Sequence, residues 1–182
     1  TPLGDVWVHE GLMQTLQQEL AADGLEITRI AHDSEHALEI ELPFLQRALA
    51  GSFELLPLMV RCQDRAAAKI LGQALGKVLA GKQALLVAST DLSHFYPLEI
   101  ANALDQEMLR RMAAFSPEAV LEAEETGTGF ACGAYAVAAA MWAARALGAQ
   151  RVQVLHHSTS AEQTGDASSV VGYGAAVFLQ PS

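Results

Sequence analysis

At 182 residues, 51% of them hydrophobic, the chain is long enough for one domain with a sizeable buried core. A formal net charge of −10, spread along the chain rather than gathered in a tail, argues against nucleic acid and anionic membrane surfaces as partners. The two cysteines, Cys62 and Cys132, make no disulfide framework, no apolar run has the length of a membrane span, and no signal peptide is visible, so a cytoplasmic location is expected.

The chain opens on Thr1-Pro2-Leu3-Gly4 without an initiator Met, which reads as the interior of a domain. Val6 to His9 is predicted as a short edge strand. Glu10 to Ala22 sets Leu12, Met13, Leu16 and Leu20 at helical spacing, closed by Gly24. Asp33 and Ser34 offer N-caps to a helix from Glu35 to Leu49, which Pro43 bends or interrupts. Phe53 to Val60 reads as a strand, and Arg65 to Leu79 as a helix with Ile70, Leu71, Leu75, Val78 and Leu79 on its apolar side. Leu85-Leu86-Val87-Ala88 stops abruptly at polar residues and reads as a buried central strand.

A helix from about Leu98 to Ala114 follows. Ser116 then caps a short helix to Glu125, with Pro117 at its first position. Gly127-Thr128-Gly129 is a break, and Cys132-Gly133 stands at the entrance of an alanine-rich helix from Ala134 to Ala144. Arg151 to Leu155 and Ser169 to Leu179 are strands without a clear helix between them, hence antiparallel neighbours. The alternation of elements predicts an α/β fold: a three-layer α/β/α arrangement on a mostly parallel, mixed central sheet, in a single domain over residues 1–182.

The chemistry concentrates after the predicted central strand, in Ser89-Thr90-Asp91-Leu92-Ser93-His94. Ligands bind at the carboxyl ends of strands in open α/β sheets, and an Asp that orients a nearby His serves proton transfer or metal binding. The plainer alternative is a capping Asp and a loop histidine. Cys132 lies at a helix N-terminus, a setting that favours a thiolate, which is also the form that ligates metals; the alternative is a small buried hydrophobe. His36 and Glu39, three apart, share a helical face, and either point His36 into a cleft or form an ordinary polar first turn. His156-His157 with Ser158, Thr159 and Ser160 forms a second polar cluster at a strand end, or a solvated loop. Gly172-Tyr173-Gly174 suggests a bulge or a close backbone approach. Cys62 reads as core, and His9 and His32 as surface positions. Neither a phosphate-binding loop nor a G-x-S-x-G elbow is present.

Taken together, Thr1-Pro2-Leu3-Gly4-Asp5, Glu35-His36-Ala37-Leu38-Glu39-Ile40-Glu41-Leu42-Pro43-Phe44, Ser89-Thr90-Asp91-Leu92-Ser93-His94-Phe95-Tyr96, Cys132-Gly133 and Ser169-Val170-Val171-Gly172-Tyr173 resemble the Memo-like family, whose bacterial members are called AmmeMemoRadiSam system protein B. The resemblance spans essentially the whole chain. It implies a fold similar to class III extradiol ring-cleaving dioxygenases. It also implies a pocket for a non-haem ion, iron or copper, with Cys132 as a metal ligand, Asp91 and His94 as the acid and the acid/base histidine, and His36 near the substrate. The family's two further ligand histidines lie in segments this chain does not contain, so the resemblance implies a missing N-terminal part, an incomplete site and no catalysis by this chain alone. Two functions are expected to compete: a dioxygenase-like oxidoreductase acting on a small aromatic substrate, and a non-catalytic module that binds metal or a protein partner such as a radical-SAM protein.

Overall fold

Where a stretch of this chain carries its own start signal, apolar stripe and stop signal, it is helical in the computed structural model, which describes residues 1–31, 33–61 and 63–181. The described residues form two compact units, Thr1–Met59 and Val60–Ser182.

In the first unit, β1 (Trp7–Val8) pairs in parallel with β2 (Glu54–Leu55). Both are two-residue fragments of the longer strands predicted over Val6–His9 and Phe53–Val60. Helix α1 (Glu10–Ala22) has the predicted bounds and buries Leu16 and Leu20. His9 is no idle surface residue, because it caps this helix by accepting the Leu12 N–H at Nδ1, 3.3 Å away. Helix α2 (Ala37–Ala48) begins two residues later than the acidic cap signals suggest. Asp33 spends its carboxylate on the Glu35 N–H (2.9 Å), and Glu35 in turn accepts from His36 and Ala37 (2.7 and 2.9 Å), which leaves His36 at the N-cap position. Pro43 sits inside α2 without ending it.

The second unit is organised around helices. They are α3 (Arg65–Leu79), α4 (Leu98–Ala113), α5 (Pro117–Thr126) and α6 (Ala134–Ala146). Asp64 caps α3 through the Ala67 N–H (2.9 Å), and Ser116 caps α5 through the Ala119 N–H (3.2 Å). Gly127, at φ +68°, ends α5 in the left-handed conformation that glycine adopts cheaply. Two small residues of α3 let α6 approach to backbone contact. A Cβ on Gly72 would stand 2.5 Å from the Ala139 carbonyl oxygen and 2.7 Å from Trp142 Cβ, and one on Gly76 would stand 2.5 Å from Ala146 Cβ. Around this helix pair Met108, Met112, Val120, Leu121, Ala138 and Met141 form the core, with Val154 and Phe178 packed against it from the strands described next.

Strands β3 (His94–Tyr96), β4 (Arg151–Thr159) and β5 (Val170–Leu179) form one antiparallel sheet in the order β3-β5-β4. The antiparallel pairing of the last two long strands agrees with the sequence reading. However, β4 runs four residues further than predicted, and a short helix, α7 (Ala161–Thr164), fills part of the connection. The fold is mixed helix and strand, but these ladders do not make the mostly parallel central sheet expected. The reason lies at Leu85–Ala88. This run belongs to no ladder among the described residues, and it leaves Leu85 64% and Val87 44% exposed. A hydrophobic run becomes a strand only where a neighbour supplies the other half of its hydrogen bonds. No helix of the described residues is long and apolar enough to cross a membrane.

Two outcomes test this packing. Gly72→Ala is expected to lower stability by about 1–3 kcal/mol, because the added methyl meets backbone that cannot give way. Gly51→Ala, in open space, serves as the near-neutral control, with denaturant midpoints as the readout. Glu107 accepts from Arg110 (2.8 and 2.7 Å) and Arg111 (2.7 Å), and these two guanidiniums hold its carboxyl down at about 2 from 4.5. A carboxyl lowered in the folded state contributes stability that is present above its unfolded value and is lost as pH falls through the folded one. An NMR titration is therefore expected to place the Glu107 midpoint near 2, and Arg111→Ala to raise it.

Candidate functional site

The segment from Ser89 to His94 crosses the start of α6, and backbone bonds lock the two together. The Cys132 N–H donates to the Asp91 carbonyl oxygen at 3.1 Å. The Asp91 N–H donates back to Cys132 Sγ at 3.2 Å. The Gly133 N–H donates to Thr90 Oγ1 at 2.8 Å, while Thr90 Oγ1 donates to the Asp91 carbonyl oxygen (2.7 Å) and lies 3.6 Å from Cys132 Sγ. Gly133 makes the crossing possible, since a Cβ there would fall 2.7 Å from the Ser89 carbonyl oxygen and 3.0 Å from Thr90 Cβ. Cys132 is exposed, so the reading of it as a small buried hydrophobe does not hold.

Asp91 and His94 come together at the next corner. His94 Nε2 is 3.6 Å from Asp91 Oδ2, with both side chains partly exposed. That spacing is an ion-pair distance rather than a formed hydrogen bond, and pairs of this kind commonly tighten only when a ligand binds. Just beyond, Phe95 holds φ +64°, a left-handed conformation that is strained for a bulky side chain, and its ring is 76% exposed. The ladder slips register between His94 and Tyr96 at the same point. The corner that presents His94 is thus a bulge held under strain. Strained residues of this kind cluster at functional positions.

A cleft of about 170 Å³ opens beside Cys132, lined also by Val60, Arg61, Gln63, Gly133, Tyr135 and Ala136. The Tyr135 hydroxyl donates to Glu125 (3.0 Å), which Arg65 grips with two bonds (2.8 and 2.5 Å). Arg65 holds the Glu125 carboxyl below its ordinary range, while burial and the facing carboxylate hold the Tyr135 hydroxyl above its own.

His36 belongs to the first unit. Its side chain is 74% exposed, with Nδ1 3.9 Å from Glu35 Oε1 and no capping bond of its own. Cys62 and His32 lie outside the described residues. His156 and His157 sit within β4 rather than in a loop after it, and a register slip between Val154 and His156 divides their roles: His156 is exposed, and His157 turns inward.

The polar centre that sequence reasoning missed is Asp105. It lies in the middle of α4 and is fully buried. Its Oδ1 accepts the Ser93 N–H at 2.9 Å, and its Oδ2 is 2.9 Å from His157 Nε2. Gly172 of β5 makes room for it, since a Cβ there would stand 1.9 Å from Asp105 Oδ2. Gly172 also ties the neighbouring backbone, donating to the Ser93 carbonyl (2.8 Å) and accepting from the Leu92 N–H (2.9 Å). The close approach suggested by Gly172-Tyr173-Gly174 is therefore real. Asp105 itself gave no signal beyond being an acid at a position where its helix packs inward. Ser93 Oγ is buried and has no hydrogen-bond partner among the described residues.

Metal sites gather three or more protein donors around one point. Among the described residues no three His, Cys, Asp or Glu side chains are placed to share an ion. Cys132, Asp91 and His94 do not close a coordination shell by themselves, so the donor set fits neither iron nor copper as a complete site. Their arrangement can present an exposed thiol and, at the next corner, an acid–imidazole pair for proton transfer.

Gly133→Ala tests the crossing. The added methyl is expected to push Thr90 and Ser89 away, speed hydrogen exchange at the Asp91 amide, and lower stability by about 1–3 kcal/mol in denaturant unfolding.

Comparison with known proteins agrees with the resemblance read from the motifs. The family model described as Memo-like protein matches residues 1–177. A MEMO1 family protein of Methanopyrus kandleri is 32% identical over 180 residues, covering 98% of this chain and 63% of the relative. One from Ignicoccus hospitalis is 32% identical over 183 residues, covering 100% of this chain and 64% of the relative. One from Aquifex aeolicus is 36% identical over 149 residues, covering 82% and 56% respectively. The chain spans somewhat under two thirds of the length of these relatives. With the match running through the crossing at Cys132, the Asp91–His94 corner and the strand that carries Gly172, the chain belongs to the Memo-like family.

Proposed function

We propose that this chain supplies one wall of a Memo-like pocket in a dioxygenase-like oxidoreductase acting on a small aromatic substrate, within a three-layer fold similar to the class III extradiol enzymes. The observation that carries the reading is the Asp91–His94 pair, 3.6 Å apart on a strained corner that continues from the crossing with Cys132. In this role His94 is the base that takes a proton from a phenolic hydroxyl, and Asp91 orients the imidazole and stabilises its charged form. Cys132 is the soft donor that an iron or copper ion would find here. The donors present do not close a metal shell, so the proton chemistry of the acid–imidazole pair is the part this chain's own residues perform.

A second reading is favoured by that same open donor set: a non-catalytic module that holds metal or a protein partner, such as a radical-SAM protein, through the same surface. In that case the exposed Cys132 and the Asp91–His94 corner serve recognition rather than turnover.

The test is anaerobic purification with added iron or copper, elemental analysis, and a panel of catechols. The measurements are made on this chain and on a longer form that matches the full length of the relatives. Stoichiometric metal in the longer form, abolished by Cys132→Ser, is expected together with ring-cleaving turnover. Turnover is expected to fall by about 10²–10⁴-fold in His94→Ala, the usual contribution of a positioned general base. Metal without turnover on any catechol selects the binding module, and no metal in either form rejects the metal reading.

A further inference from the structure

We propose that Asp105 is the positioning residue of the Asp91–His94 corner, and that His157 is the partner that holds its carboxylate in place. This rests on the reading of that corner as the working part of the pocket. It adds two residues, on α4 and β4, that the motifs around Asp91 and His94 do not contain.

A carboxylate is costly to bury and is retained only where its lone pairs are taken up. Asp105 is fully buried, and its two oxygens are spent on different elements: Oδ1 on the Ser93 N–H, Oδ2 on His157 Nε2. Ser93 is the residue immediately before His94, and its amide can follow only one direction while the bond holds. The strained φ of +64° at Phe95 and the register slip beside it are held by what surrounds them, and the clamp at Ser93 is a buried side-chain anchor two residues before Phe95. The shape of β5 accommodates the arrangement. Gly172 clears a space that any Cβ would close, 1.9 Å from Oδ2, and its own amide and carbonyl bind Ser93 and Leu92.

The bond also sets the tautomer of His157: an ionised Oδ2 only accepts, so with Asp105 as a carboxylate a neutral His157 ring carries its proton on Nε2. The same logic orients the histidines around metal centres, where loss of an outer carboxylate partner costs about 10–100-fold in affinity or activity.

The experiment uses the longer form that matches the full length of the relatives, with ¹⁵N-labelled histidine and amides, in wild-type form and as Asp105→Asn and Asp105→Ala. It has three readouts: the ring-nitrogen shifts of His157, hydrogen exchange at the Ser93 amide, and binding of 4-nitrocatechol followed by its absorbance. The wild type is expected to show His157 protonated at Nε2 and a protected Ser93 amide. Asn keeps an accepting oxygen for Ser93 but must donate to His157. Asp105→Asn is therefore expected to flip His157 to the Nδ1-protonated tautomer, keep Ser93 protected and bind the catechol close to the wild-type value. Asp105→Ala is expected to lose Ser93 protection and to bind the catechol about 10–100-fold more weakly.

Unchanged Ser93 exchange or unchanged catechol binding in a folded Asp105→Ala overturns the proposal. An Nδ1-protonated His157 in the wild type, or no change of tautomer in Asp105→Asn, overturns it equally. Where Asp105→Ala does not fold, Asp105→Asn decides: a flipped tautomer with a protected Ser93 amide supports the proposal. If the wild type binds no 4-nitrocatechol, the substrate reading fails, while the Ser93 and His157 signals still decide whether Asp105 positions the corner.

Discussion

A single buried carboxylate ties together three separate stretches of the second unit. Asp105 reaches from the middle of α4 to the Ser93 backbone and to the His157 ring, in space left open by Gly172. Removing one partner of such an arrangement leaves a charge or a polar group without its bond in a dry interior, which is far more damaging than losing a surface pair. Ser93 precedes His94 directly, so the same bond governs where the candidate base stands. The strained Phe95 and the slipped register beyond it are local distortions that a loosely held loop would relax.

The helical side of the unit solves a different problem. An interface of small residues gains little from any one side chain, but it brings two helix backbones within contact and multiplies weak dispersion contacts. Gly72 and Gly76 of α3 meet Ala139, Trp142 and Ala146 of α6 in this way. The middle and the C-terminal end of α6 are thereby held against α3. Before its first turn a second contact takes over, where the Asp91 N–H donates to Cys132 Sγ and the Cys132 N–H donates to the Asp91 carbonyl oxygen.

Family membership and local geometry constrain function in different ways. The match to MEMO1 family proteins runs along almost the whole chain but covers somewhat under two thirds of those relatives. The corner of Asp91 and His94 and the thiol of Cys132 are suited to proton transfer and soft coordination, respectively. Three donors do not converge among the described residues.

Much of the helical structure was legible in the sequence, because its signals are local. Ser116 with Pro117 and Gly127 mark the ends of one helix within a turn, and the apolar spacing of Arg65–Leu79 is complete within that segment. Asp91, His94 and Cys132 stood out as residue types at the ends of elements, and the structure brings Asp91 beside both His94 and Cys132. Strands were not, since a ladder is a property of two segments. Leu85–Ala88 has the composition of a central strand and no partner among the described residues, while His156–Thr159 looks like a polar loop and is half of a ladder. The sequence by itself determined where most of the helices lie and which reactive residue types stand near their ends. Only the tertiary structure decided that an unremarkable acid in α4 would lie against a glycine of β5, hold the backbone of Ser93 and take the ring of His157, because burial and hydrogen-bond partnership depend on segments far apart in the chain.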